Sequence, residues 1–152
     1  MGVSPVGGRG RPTYRQPALV SLVVVGGTVG TALRDRLETL FAAPAGGFPW
    51  VTFCINVSGA FLLGVLLEVL AAVVGEGRRR RGLQVAFGTG LLGGYTTYST
   101  FVLEALAVAA QGDLALAVAY VVGSVLVGFG AAYAAMWLTR SAVRVWGTES
   151  AS

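Results

Sequence analysis

FGTGLLGGYTTYSTF, residues 87–101, places four glycines and five serine or threonine residues within fifteen positions, and strongly apolar sequence lies on both sides of it. Glycine costs a helix interior about 1 kcal/mol relative to alanine, and clustered hydroxyls offer the backbone hydrogen bonds that compete with a helical ladder. Gly88, Gly90 and Gly93 spell G-x-G-x-x-G, with Asp113 twenty residues beyond. A dinucleotide loop needs a preceding strand and a βαβ unit, and the flanking pattern offers neither, so the match is accidental. Gly90 and Gly94 also form a G-x-x-x-G pair suited to close helix contact in a membrane. That use explains the glycines but not Thr96, Thr97, Ser99 and Thr100. A third reading is a helix that unwinds near residues 93–97 at membrane mid-depth and restarts, which lipid tolerates only where the backbone is enclosed by protein or faces water. Such a break leaves carbonyls for a cation at the end of its first half, and N–H and hydroxyl donors for an anion at the start of its second.

The rest of the chain supplies the setting. Its 152 residues are 55% hydrophobic and only 12% charged, with a mean hydropathy of +0.73, the composition of an integral membrane protein. There is no histidine, and Cys54 is the single cysteine, so an intramolecular disulfide, the usual zinc sites and histidine-dependent nucleophiles are all unavailable. An enzyme is disfavoured and no catalytic residue is expected. The net charge of +4 comes from eleven arginines and no lysine. They sit in flanks and loops, where anionic lipid head groups lie. Without interleaved stacking aromatics they do not suggest nucleic-acid binding.

Hydropathy predicts an all-α membrane protein of four spans. Residues 1–17 read as a disordered basic tail, 18–139 as one transmembrane domain, and 140–152 as a short C-terminal tail. The spans are 18–40, 51–74, 83–110 and 114–138, joined by an interfacial loop at 43–50, a basic loop GEGRRRRG at 75–82 and a turn at 111–113. Small residues are ordered on faces: Gly27, Gly30, Thr31 and Arg34 in the first span, and Tyr120, Ser124, Gly128, Ala131 and Ala135 in the last. Such faces let helix backbones approach closely.

Four motifs in order, GGTVGTALR (26–34), FPWVTFCINVSGAFLLG (48–64), GTGLLGGYTTYSTFVLE (88–104) and the weaker YVVGSVLVG (120–128), resemble the Fluc (CrcB) fluoride channel family. The resemblance spans residues 26 to about 133. It implies a passive channel that lets cytoplasmic fluoride leave, built as an antiparallel, dual-topology dimer with its third helix broken mid-membrane. It also implies a structural sodium ion, not transported, on the backbone carbonyls of Gly93 and Thr96. For the fluoride path it points to Asn56, Tyr98, Phe101 and Ser124, with Arg34 at a vestibule and Thr97 and Glu104 in support. These types suit the task. Fluoride only accepts hydrogen bonds, which an amide NH2 and hydroxyls can donate, and aromatic rings present a positive edge. Tyr98 departs from the family's usual phenylalanine, and Gly128 stands where relatives often carry a hydroxyl.

With four spans, both termini and the basic loop share one side, so nine arginines face two. The positive-inside rule then puts both termini in the cytoplasm of a cell-membrane protein. The dimer is either a homodimer or a heterodimer with an oppositely oriented homologous subunit; an antiparallel homodimer needs weak charge bias, so this strong bias favours the heterodimer. Two other functions fit a small four-span chain. A proton-coupled multidrug exporter would need a carboxylate embedded in the first span, and residues 18–33 have none. A non-conducting packing subunit would use its glycines for contact alone.

Overall fold

The computed structural model describes residues 16–42 and 47–149, with side chains described through residue 144. Most of the predicted basic tail at 1–17, and residues 43–46 of the first loop, lie outside the described residues. Among those described there is no strand. α1 (Pro17–Leu40) opens on proline, whose fixed φ and missing N–H suit the first helical turn. α2 (Trp50–Val73) follows Phe48 and Pro49. Gly77, at φ +148°, makes the turn into α3 (Arg78–Leu83), a backbone conformation that side chains rarely adopt. The chain then continues as a wider π-helical segment, Gln84–Leu92, and a short α4 (Gly93–Tyr95). Helix stops there. Thr96 is extended, with φ −77° and ψ 158°, and α5 (Ser99–Ala110) begins three residues later. A turn with Gly112 at φ +93° leads to α6 (Leu114–Glu149), whose first turn is capped by Asp113 Oδ1 accepting the Leu116 N–H at 2.9 Å.

Among the described residues, three helices are long and apolar enough to cross a membrane: α1, α2 and the Leu114–Arg144 part of α6. The third predicted span, 83–110, is assembled from the π-helical segment, α4 and α5. Two boundaries differ from the sequence reading. The basic loop at 75–82 is half helical, because arginine is a good helix former once Gly77 has made the turn. The fourth helix does not end at 138 but runs through Arg140 and Arg144 to Glu149, since hydropathy marks where lipid ends rather than where helix ends.

The helices pack as two couples. α1 lies against the π-helical segment and α4, while α2 and α5 lie against α6. Glycines set the first contact. A methyl group on Gly26 would fall 2.5 Å from the Ala86 carbonyl oxygen, and one on Gly94 would fall 3.0 Å from Gly27 Cα. The backbones therefore touch directly. In the second couple, Gly64 lies against Ala132 and the fully buried Ala135. The small face predicted on α6 is only partly used, because Gly128 has nothing within 4 Å of where a Cβ would stand. Large apolar side chains such as Val25, Leu103 and Phe129 point outward, as a lipid-facing surface requires.

Candidate functional site

Between α2, the helix interruption and α6 runs an open groove of about 440 Å³. It gathers residues far apart in sequence: Asn56 from α2, Gly93 from α4, Thr96, Thr97 and Tyr98 from the interruption, Phe101 from α5 and Ser124 from α6. Arg34 and Glu104 are not among its lining residues.

The interruption is held by side chains in place of the helical ladder. Thr97 N–H, which a continuous helix would direct to the Gly93 carbonyl, donates instead to Asn56 Oδ1 at 2.9 Å. Asn56 Nδ2 returns a bond to the Thr97 carbonyl, also 2.9 Å. This pairing fixes which end of the amide is which. Thr100 N–H, which would otherwise reach the Thr96 carbonyl, donates to Thr97 Oγ1 at 3.2 Å. The carbonyls of Gly93 and Thr96 thus each lose their helical donor, and free carbonyl oxygens are hard ligands of the kind that suit a hard cation. Among the described residues no three His, Cys, Asp or Glu side chains come together to hold a metal. Gly59 is buried directly beneath the Thr96 side chain, so α2 needs a glycine for the interruption to sit this close.

The groove is mostly apolar, and within it a few hydrogen-bond donors stand out. Ser124 Oγ is buried and has no hydrogen-bond partner among the described residues, although a helical serine can return its proton to the carbonyl four residues back. One of the two Nδ2 protons of Asn56 is used on Thr97, and the other remains to be given. Phe101 stacks at a tilt between Tyr98, with centroids 6.4 Å apart, and Tyr120, 5.0 Å apart. Tyr98 is 79% exposed and marks the open side.

Glu104 lies behind the rings. Thr52 donates to its Oε1 and Tyr120 to its Oε2, each at 2.9 Å. Thr52 is 1% exposed and Tyr120 fully buried, so α2, α5 and α6 are tied around one carboxylate. Sequence reasoning did not assign functions to Thr52 or Tyr120. Each precedes a named pore residue by four positions, Thr52 before Asn56 and Tyr120 before Ser124, and that shared helical face was the available signal. Arg34 donates through Nη1 to Glu38 Oε1 and to Thr100 Oγ1, both at 3.4 Å.

A bundle of membrane-length apolar helices, interrupted beside an open groove that carries a few hydrogen-bond donors, defines a multi-pass membrane protein. Comparison with known proteins gives the family: a model described as CrcB-like protein, Camphor Resistance (CrcB), matches residues 21–136, and the chain belongs to that family. Among its relatives is a protein of Cutibacterium acnes named Fluoride-specific ion channel FluC 1, 40% identical over 130 residues that cover 86% of this chain and 88% of the relative. One of the same name from Streptomyces coelicolor is 36% identical, covering 85% and 82%. The Fluoride-specific ion channel FluC of Novosphingobium aromaticivorans is 42% identical over 71% of this chain and 85% of its own.

Proposed function

We propose that this protein is a fluoride-specific channel through which cytoplasmic fluoride leaves the cell passively. The observation that carries the reading is Ser124 Oγ, a buried hydroxyl without a partner among the described residues, on the same groove as the uncommitted amide proton of Asn56. A fluoride ion accepts hydrogen bonds and offers none, so it can take both protons. Phe101 and Tyr98 also line the groove, and ring edges turned to the path would offer weak positive potential, which favours passage over tight binding. Channels need binding that is favourable on entry and easily released, and two donors plus two ring edges meet that need without a fixed cation. The names of the relatives support fluoride as the solute.

The mid-membrane break is the centre of the proposal. The carbonyls released from the ladder, Gly93 and Thr96, would hold a structural sodium ion, which when bound would offset the negative end of these carbonyl dipoles. Two carbonyls are few for such an ion, and a second subunit would double them. The groove's open side, where Tyr98 is exposed, favours a partner as well. We place both termini in the cytoplasm and take the partner to be an oppositely oriented homologue, because the arginine bias is nine to two.

Fluoride efflux from liposomes, with chloride measured in parallel, tests the channel. Labelling of terminal cysteines from each side of intact cells tests the orientation. Labelling of one population from both sides, together with flux from the chain alone, would establish a homodimer and remove the heterodimer.

A further inference from the structure

Arg34 stands away from the groove, yet a continuous series of hydrogen bonds joins it to the groove's central amide. Its Nη1 donates to Thr100 Oγ1. That oxygen also accepts from Thr97 Oγ1 at 3.1 Å, and Thr97 Oγ1 in turn accepts the Thr100 N–H. Thr97 is the residue bound twice to Asn56. On the far side, Glu38 one turn along α1 fixes the guanidinium. We infer that Arg34 is a positioning residue, which sets the Asn56 amide through Thr100 and Thr97 and so determines how the anion is met.

Three features favour this over attraction of anions by its charge. The charge is partnered by Glu38, which cancels much of its long-range field. The side chain is about four-fifths buried, with 21% exposed. Its single Nη1 serves both α1 and the interruption, so it bridges the element that packs on the third span to the point where that span stops being helical. Lysine would keep the charge, but its nitrogen sits one bond closer to the backbone and lacks the planar fork. The relay therefore requires arginine in particular, whereas attraction requires only a cation.

The inference rests on the channel reading for its flux readout, and a second readout stands without it. The full chain, with its partner subunit where it is silent alone, is reconstituted as wild type, Arg34→Lys, Arg34→Gln, Thr100→Val, Thr100→Ser and the Arg34→Gln, Thr100→Val double variant. Fluoride efflux is read at low and high ionic strength, and amide exchange is followed across 96–101. Expected are losses of about tenfold in Arg34→Gln, Arg34→Lys and Thr100→Val, the size of one hydrogen bond to a charged group. The double variant should be no slower than the singles, the losses should not change with salt, and Thr100→Ser should behave as wild type. The amides of Thr97 and Thr100, both held by side chains, should exchange faster in Arg34→Gln and Thr100→Val and normally in Thr100→Ser. Wild-type flux in Arg34→Lys, with an Arg34→Gln loss that fades as salt rises, would overturn the inference in favour of charge attraction. Losses that multiply in the double variant would overturn it too. If no form conducts, the channel reading falls and the exchange rates alone decide the relay. If Arg34→Gln does not fold, the Thr100 pair decides it.

Discussion

Asn56 and Thr97 hold each other by two hydrogen bonds of 2.9 Å, the asparagine amide taking the part of a peptide unit against an interrupted backbone. A helix that stops inside a bundle must find partners for the groups it releases, since an unsatisfied buried donor or acceptor costs about 1–3 kcal/mol. α2 supplies both partners from one side chain. The amide that steadies the interruption is therefore the same amide that faces the groove, so under the proposed channel reading structure and conduction would both depend on one residue.

Asn56→Asp keeps the acceptor for Thr97 N–H but sets a carboxylate oxygen against the Thr97 carbonyl. We expect a loss of about 2 kcal/mol in unfolding free energy, and a fall of at least about 100-fold in fluoride flux from the fixed negative charge in a low-dielectric path. Thermal unfolding in detergent and liposome efflux measure the two effects separately.

Ser124→Ala separates function from folding. Because Ser124 Oγ has no hydrogen-bond partner among the described residues, its removal should change stability by no more than about 0.5 kcal/mol. Flux should nonetheless fall about tenfold, the value of one hydrogen bond to an ion. Unchanged flux would mean that the hydroxyl does not meet the anion.

The carboxylate knot should behave in the opposite way. Tyr120→Phe and Thr52→Val each leave Glu104 one donor short, and each should destabilise the protein by about 1–3 kcal/mol. The pair should be non-additive, since both act on one carboxylate. Equilibrium unfolding of the two single variants and the double variant gives the coupling.

Glycines of the third and fourth spans divide by contact. Gly94→Ala drives a methyl group into the backbone of Gly27 and should cost about 1–3 kcal/mol as overpacking. Gly123→Ala on α6 meets nothing within 4 Å and should stabilise by about 0.5–1 kcal/mol through helix propensity alone. Melting temperatures of the two variants, measured side by side, check the contrast.

What the sequence disclosed follows from the range of each interaction. Apolar runs placed α1 and α2 to within a residue or so, because burial in lipid is a property of the segment itself. The glycine pattern at 88–94 announced close packing, and Gly90 and Gly94 do lie against α1. The placement of Asn56, Tyr98, Phe101 and Ser124 as a set came from ordered motifs, since no local rule relates residue 56 to residue 124. Partners across the bundle stayed hidden. Thr52 and Tyr120 bond Glu104 across 52 and 16 positions, and Arg34 meets Thr100 across 66. The long helical tail of α6 was missed for another reason: residues 139–146 lack glycine and proline, so the helix continues where hydropathy falls.

The most direct measurement is fluoride efflux from liposomes into a low-fluoride bath, read with a fluoride electrode and followed by a matched chloride experiment. The chain is reconstituted alone and then with a co-encoded homologue. The account predicts rapid fluoride release from the paired preparation, little chloride release, and loss of the signal with Asn56→Asp. Fluoride retained in every preparation, or released no faster than chloride, would contradict it and leave a membrane protein whose glycines and hydroxyls serve packing alone.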